Sequence, residues 1–162
     1  MEYLNCVLNR VCRGDSVNLQ YGIPYAAACV SGKRGSSISG TVRFYVHGDG
    51  TLVVAQISGL PESETGFHGF HIHEGTSCRG EGFCNTGGHF NPDKTEHPAH
   101  AGDLPPLLAN MGRAYFSVWT CRFRPEDVIG KTVVIHSNPD DFHSQPAGDA
   151  GEKIACGVIR RI

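Results

Sequence analysis

Long apolar runs are missing from this chain. No stretch of its 162 residues approaches the roughly 18 consecutive apolar positions that a membrane-spanning helix requires. Positive charge is not in excess either. Fourteen Lys and Arg against 16 Asp and Glu leave a net charge of −2, which removes the electrostatic basis for binding nucleic acid. Residues Met1 to Arg13 are interrupted by Asn5, Asn9 and Arg10 and lack the apolar stretch of a secretory leader, so a cytoplasmic location is expected. None of the seven cysteines, at 6, 12, 29, 78, 84, 121 and 156, forms a C-x-x-C pair, which excludes zinc-ribbon and thioredoxin-type readings. Their odd number leaves at least one thiol unpaired in a monomer, and a reducing cytosol favours buried or idle thiols for most of them. Methionine (2) and tryptophan (1) are scarce, whereas glycine (21) and proline (9) are plentiful. Such turn punctuation leaves little room for long helices and favours an all-β chain of one domain.

The periodicity agrees. Tyr3, Leu4, Val7, Leu8 and Val11 form an apolar stripe at helical spacing, so residues 1–25 read as an extension holding a short helix or a poorly ordered tail. From Tyr25 the period becomes two: Ile38, Gly40, Val42 and Phe44 alternate with Ser39, Thr41, Arg43 and Tyr45. His47-Gly48-Asp49-Gly50 then leads into the β-branched run Thr51 to Ser58, which describes a hairpin. Further strands are expected at Phe67 to His73, Ala114 to Thr120, Lys131 to His136 and Ala155 to Ile159. Two stretches, Glu74 to Met111 and Ser137 to Glu152, lack periodicity, and long loops of this kind in a compact domain are usually functional. The pattern is that of a small β-sandwich or barrel, residues 26–162, with two long loops.

Histidines concentrate where those loops meet the strands. In a strand, His71 and His73 share one face and Phe70 and Ile72 the other. With Phe70 and Ile72 in the core, two imidazoles stand together on the outer face, an arrangement suited to copper or zinc. His89 follows Gly87-Gly88, and His97, His100 and Asp103 come at spacings of three. Three imidazoles and a carboxylate complete a tetrahedral zinc shell with no open position, the structural arrangement. His136 ends a buried strand. His47 and His143 read as solvated, and His68 as a hydrogen-bonded packing residue.

Gly69-Phe-His-Ile-His-Glu74, Gly88-His-Phe-Asn-Pro92, His100-Ala-Gly-Asp-Leu104, Val133-Val-Ile-His136 and Gly151-Glu-Lys-Ile-Ala-Cys-Gly-Val-Ile159 together resemble the copper–zinc superoxide dismutases, with bacterial members nearest in pattern. The resemblance implies an eight-stranded Greek-key β-barrel or sandwich, immunoglobulin-like. It implies copper on His71, His73, His89 and His136, and zinc on His89, His97, His100 and Asp103, with His89 bridging the two. Asp140 would accept hydrogen bonds from His71 and His97, and Cys78 and Cys156 would form a disulfide, with Cys78–Cys84 the competing pairing. The implied activity is disproportionation of superoxide, with His89 and Lys153 as catalytic residues and Lys153 standing where the family carries an arginine. A copper- and zinc-binding module without turnover is the alternative. Superoxide is the only partner implied: no nucleic acid, no membrane, and either a monomer or a homodimer.

Overall fold

The computed structural model describes residues 21–162, so the stripe at residues 3–11 lies outside the described residues. Eight strands follow: β1 (Ala26–Gly32), β2 (Ser39–His47), β3 (Gly50–Ser58), β4 (Phe67–His73), β5 (Asp103–Leu108), β6 (Arg113–Thr120), β7 (Thr132–His136) and β8 (Lys153–Arg161). They form one antiparallel sheet in the order β5-β4-β7-β8-β1-β2-β3-β6. With the two end strands facing each other, the sheet is a nearly closed barrel rather than two separate layers. The connections β3 to β4 and β6 to β7 cross between strands that are not neighbours, which is the Greek-key path. No helix among the described residues is long and apolar enough to cross a membrane.

Alternation along the strands builds the interior. Val42, Phe44, Val53, Ala55, Phe70, Ile72, Val133, Ile135, Ala155 and Ile159 all point inward and form one continuous core. The β2–β3 hairpin closes through Gly48-Asp49, with His47 opposite Gly50 and Gly48 at φ 60°. A two-residue hairpin turn needs that positive φ to match the strand twist, and glycine adopts it without a steric penalty.

One strand departs from the expectation. The stretch Glu74 to Met111 contains β5 and a short 3₁₀ segment, Glu81–Thr86. Pro105 and Pro106 hide β5 because proline cannot donate to a ladder. They are tolerated here because β5 sits at an end of the strand order and pairs on one side only, with β4.

Candidate metal centre

Strand β4 sends His71 and His73 to the outer face of the barrel, as alternation requires. They are not exposed there: His71 is 0% and His73 2% accessible, because the two long loops fold over this face. The closure is made by backbone. Glu74 N–H donates to Gly88 O at 3.0 Å, Phe90 N–H to Ile72 O at 2.8 Å and Ile72 N–H to Gly102 O at 2.9 Å. These bonds pin the segment carrying His89, His97 and His100 against β4. His136 arrives from the end of β7, which pairs with β4 from His73↔Thr132 to Phe70↔Ile135.

The structure thereby brings together two groups of buried side chains. The first is His71, His73, His89 and His136, and the second is His89, His97, His100 and Asp103. Within each group the potential ligand atoms lie within 4.8 Å of one another, and His89 belongs to both.

Hydrogen bonds on the far side of each ring decide which nitrogen is free. His73 Nδ1–H donates to Gly87 O (2.9 Å) and His136 Nδ1–H to Gly151 O (3.3 Å). A carbonyl only accepts, so the protons sit on Nδ1 and both Nε2 atoms keep their lone pairs. Those two Nε2 atoms are 3.3 Å apart, close to the ~3.4 Å edge of a tetrahedron around a metal with bonds near 2.05 Å. His71 donates from Nε2 to Asp140 Oδ2 (2.7 Å), which leaves Nδ1 free. His89 donates from Nδ1 to Asp103 Oδ1 (2.7 Å), which leaves Nε2 free. His97 donates from Nε2 to Asp140 Oδ1 (2.9 Å), which leaves Nδ1 free. His71 Nδ1, His89 Nε2 and His97 Nδ1 are all buried without a hydrogen-bond partner.

Buried orphan acceptors are costly in a native protein unless something satisfies them. His97 Nδ1 also lies 3.0 Å from Asp103 Oδ2, with an acceptor facing an acceptor. A cation between them would convert that repulsion into two bonds. Four imidazole nitrogens suit copper, and three with a carboxylate suit zinc. The residues present therefore fit both ions.

The electrostatics keep the ligands in their metal-binding forms. Burial pushes His73 down to about 2 and His136 down to about 3, and it lowers His71 as well. These rings are neutral at physiological pH. Burial alone would raise the Asp140 carboxyl. Hydrogen bonds from His71, the Phe142 N–H and His97 outweigh it and hold Asp140 well below the usual carboxylate range. A side chain at position 148 would collide with Asp140 Oδ1 and His97 Nε2, so Gly148, at φ 67°, lets that carboxylate approach both rings.

Several residues that hold the site carry no sequence signal. Arg122 donates from one guanidinium nitrogen to Pro98 O (3.0 Å), His100 O (3.3 Å) and Asp103 O (3.3 Å), clamping the short turn between the histidines. Gln145 accepts from His97 N–H (3.0 Å) and donates to His97 O (2.7 Å). Nothing in the spacing of a lone arginine or glutamine marks such backbone clamps. Lys153, half-buried at the start of β8, donates to Thr86 Oγ1 (2.8 Å) and Gly87 O (2.9 Å). His68 is fully buried and packs against Pro61 O and His136 O through its two nitrogens. His143 is exposed at the surface.

Cys78 and Cys156 form a disulfide that ties the His89 loop to β8. Cys84 and Cys121 are free and exposed, and Cys29 is disulfide-bonded. The expectation of mostly buried or idle thiols is thus corrected: three of the five cysteines within residues 21–162 are oxidised.

Residues 38–159 match the family model for copper/zinc superoxide dismutase (SODC). The chain is also 36% identical over 140 residues to superoxide dismutase (Cu-Zn) 2 of Brassica juncea, an alignment spanning 75% of this chain and 89% of that protein. That relative is from a plant and lends no support to the bacterial-type expectation. The match runs through both histidine groups and the cysteine of β8, and on this similarity the chain belongs to the copper/zinc superoxide dismutase family.

Proposed function

We propose that this protein disproportionates superoxide to dioxygen and hydrogen peroxide. Copper would be held by His71, His73, His89 and His136 and zinc by His89, His97, His100 and Asp103, with His89 common to both sets. The observation that carries this reading is the pair of adjoining buried groups that share His89, with the ring tautomers set by their outer hydrogen bonds. Bound copper supplies the one-electron couple that the reaction needs, and zinc a fixed structural charge. The chain's own residues do the rest. Asp140 joins the groups by accepting hydrogen bonds from His71 Nε2–H and His97 Nε2–H, so that neither ring can turn without the other. His89 Nε2, without a protein partner, is the atom at which a proton is held between the two half-reactions.

Lys153 is the cation of the site. Its ammonium shares Gly87 O with His73 Nδ1, so a positive charge stands one carbonyl away from a copper ligand. Two of the loop acids are engaged elsewhere: Asp140 is occupied by two histidines, and Glu152 pairs with Lys33 at 2.9 Å. A cation beside the copper attracts a small anion and raises its encounter rate. Lys153→Ala should lower kcat/KM about tenfold at low ionic strength and flatten its salt dependence. Burial lowers the Lys153 pKa, so activity should fall with rising pH earlier than an ordinary lysine would dictate. Lys153→Arg should move that fall to higher pH. Identical salt and pH profiles in all three proteins would remove Lys153 from the reaction.

The reading as a whole is tested by metal analysis and a superoxide assay on the purified protein, before and after loading with copper and zinc. One equivalent of each ion, with turnover that depends on copper, is the expected result. Protein that carries both ions without turnover would be a copper- and zinc-binding module instead.

A further inference from the structure

Thr86 ends the 3₁₀ segment Glu81–Thr86 and is fully buried. A hydroxyl taken out of water needs partners for its proton and for its lone pairs. Both are supplied. Thr86 Oγ1 donates to Phe83 O at 2.9 Å and accepts from Lys153 Nζ at 2.8 Å. Its one proton is committed to a carbonyl, so toward the ammonium this oxygen can only accept. Phe83 itself holds φ 60°, a left-handed conformation that a bulky residue adopts only where its surroundings impose it.

The ammonium is held from a second side. Lys153 Nζ donates to Gly87 O at 2.9 Å, the carbonyl that also receives His73 Nδ1–H. Among the described residues it pairs with no carboxylate. Both acceptors lie on the loop that the Cys78–Cys156 disulfide ties to β8, and Lys153 begins that strand. An ammonium carries three N–H donors. Thr86 and Gly87 take two of them, and one is left. Lysine is a point charge on a flexible stem and lacks the rigid fork of arginine. Untethered, its charge spreads over many rotamers and has to be ordered anew at each encounter. Two hydrogen bonds remove that freedom beforehand.

We propose that Thr86 is a positioning residue, which fixes the Lys153 ammonium so that its third N–H is presented to superoxide. This rests on the reading of Lys153 as the cation of the site. The two roles are separable. Attraction from a distance depends on the charge alone and survives loss of the hydroxyl. Holding the anion for electron transfer depends on where the N–H points and does not survive it. Lys153→Ala should therefore flatten the salt dependence, whereas a change at Thr86 should lower the rate and leave that dependence in place.

The test uses the full chain loaded with copper and zinc. Thr86→Val keeps the side-chain shape and removes the acceptor. It should lower kcat/KM about fivefold, with the salt dependence of the parent. Thr86→Ser restores the hydroxyl and should return to within about twofold of the parent. In a Lys153→Ala background Thr86→Val should change nothing further, because the group it acts through is gone. Loss of the bond to Phe83 O is common to both backgrounds and cancels in the comparison. Nuclear magnetic resonance supplies a readout apart from activity. With the copper reduced and diamagnetic, the Lys153 ammonium should give a slowly exchanging proton–nitrogen signal in the parent and in Thr86→Ser, and lose it in Thr86→Val. A parental rate in Thr86→Val, an equal loss with and without Lys153, or no rescue by serine overturns the proposal. So does an ammonium signal that Thr86→Val leaves unchanged. A loaded parent without superoxide turnover overturns the reading beneath the proposal and the proposal with it. That failure is told apart by an ammonium signal that still responds to Thr86→Val.

Discussion

Replacing His89 by alanine is expected to remove both metals from the protein at once. Every other ligand in the two groups serves one of them. On the proposed assignment His89 would serve both, with Nε2 toward the group on β4 and β7 and Nδ1 toward the group around Asp103, once the second ion displaces the proton that Nδ1 donates to Asp103 Oδ1. His71→Ala should therefore reduce bound copper and its visible spectrum while zinc stays, and His100→Ala should do the reverse. His89→Ala should lower both stoichiometries and reduce activity by more than the about 10- to 100-fold that follows loss of a residue merely supporting a ligand. The barrel itself should fold as before, because His89 lies in a loop and makes no part of the core. Folding is checked by far-ultraviolet circular dichroism alongside metal analysis. Full copper and zinc in the His89→Ala protein would mean that the two groups do not share a ligand.

Removing the Cys78–Cys156 disulfide should destabilise the protein more than any other small change. The bridge closes a loop with a sequence separation of 78, and a cross-link of that span removes about 4–5 kcal/mol of chain entropy from the unfolded state. For a chain of this size the loss corresponds to a fall in Tm of about 10 °C or more. The effect should reach the site as well. Cys78 anchors the segment whose Gly87 carbonyl orients both His73 and Lys153, so copper affinity should weaken together with stability. Cys78→Ala with Cys156→Ala, compared with the oxidised parent in thermal melts and copper titrations, measures both quantities. A Tm within about 2 °C of the parent, equivalent to less than roughly 1 kcal/mol, would show that the bridge does not stabilise this fold.

Local patterning and tertiary closure contributed differently to what the chain reveals. The hairpin at Gly48-Asp49 and the alternation of β4 are local properties, because turn residues and period-two burial act over a few neighbours. They make the strand Phe67–His73, and the pairing of two imidazoles on one face of it, legible in the linear sequence. Strand β5 was hidden for an equally local reason: Pro105 and Pro106 forbid a central strand, and only the sheet order places this one at an end. The outward strand face was legible too, but its accessibility was not. His71 and His73 are buried because loops distant in sequence close over them, and Thr41, Arg43 and Tyr45 are buried on a face that alternation alone would leave wet.

By itself, then, the sequence determined the strand faces, the supply of nitrogen and carboxylate ligands, and the turns that bring hairpin strands side by side. Each of these depends on residues within a few positions of one another. The tertiary structure decided which ring nitrogens stay free, since that depends on carbonyls and carboxylates contributed by other segments: Gly87 for His73, Gly151 for His136, and Asp140 for both His71 and His97. It also decided the clamps of Arg122 and Gln145 and the oxidised state of Cys78 and Cys156. All of these are contacts between positions far apart along the chain. A one-dimensional pattern does not specify them, because their energy appears only once the barrel has brought the segments within hydrogen-bonding distance.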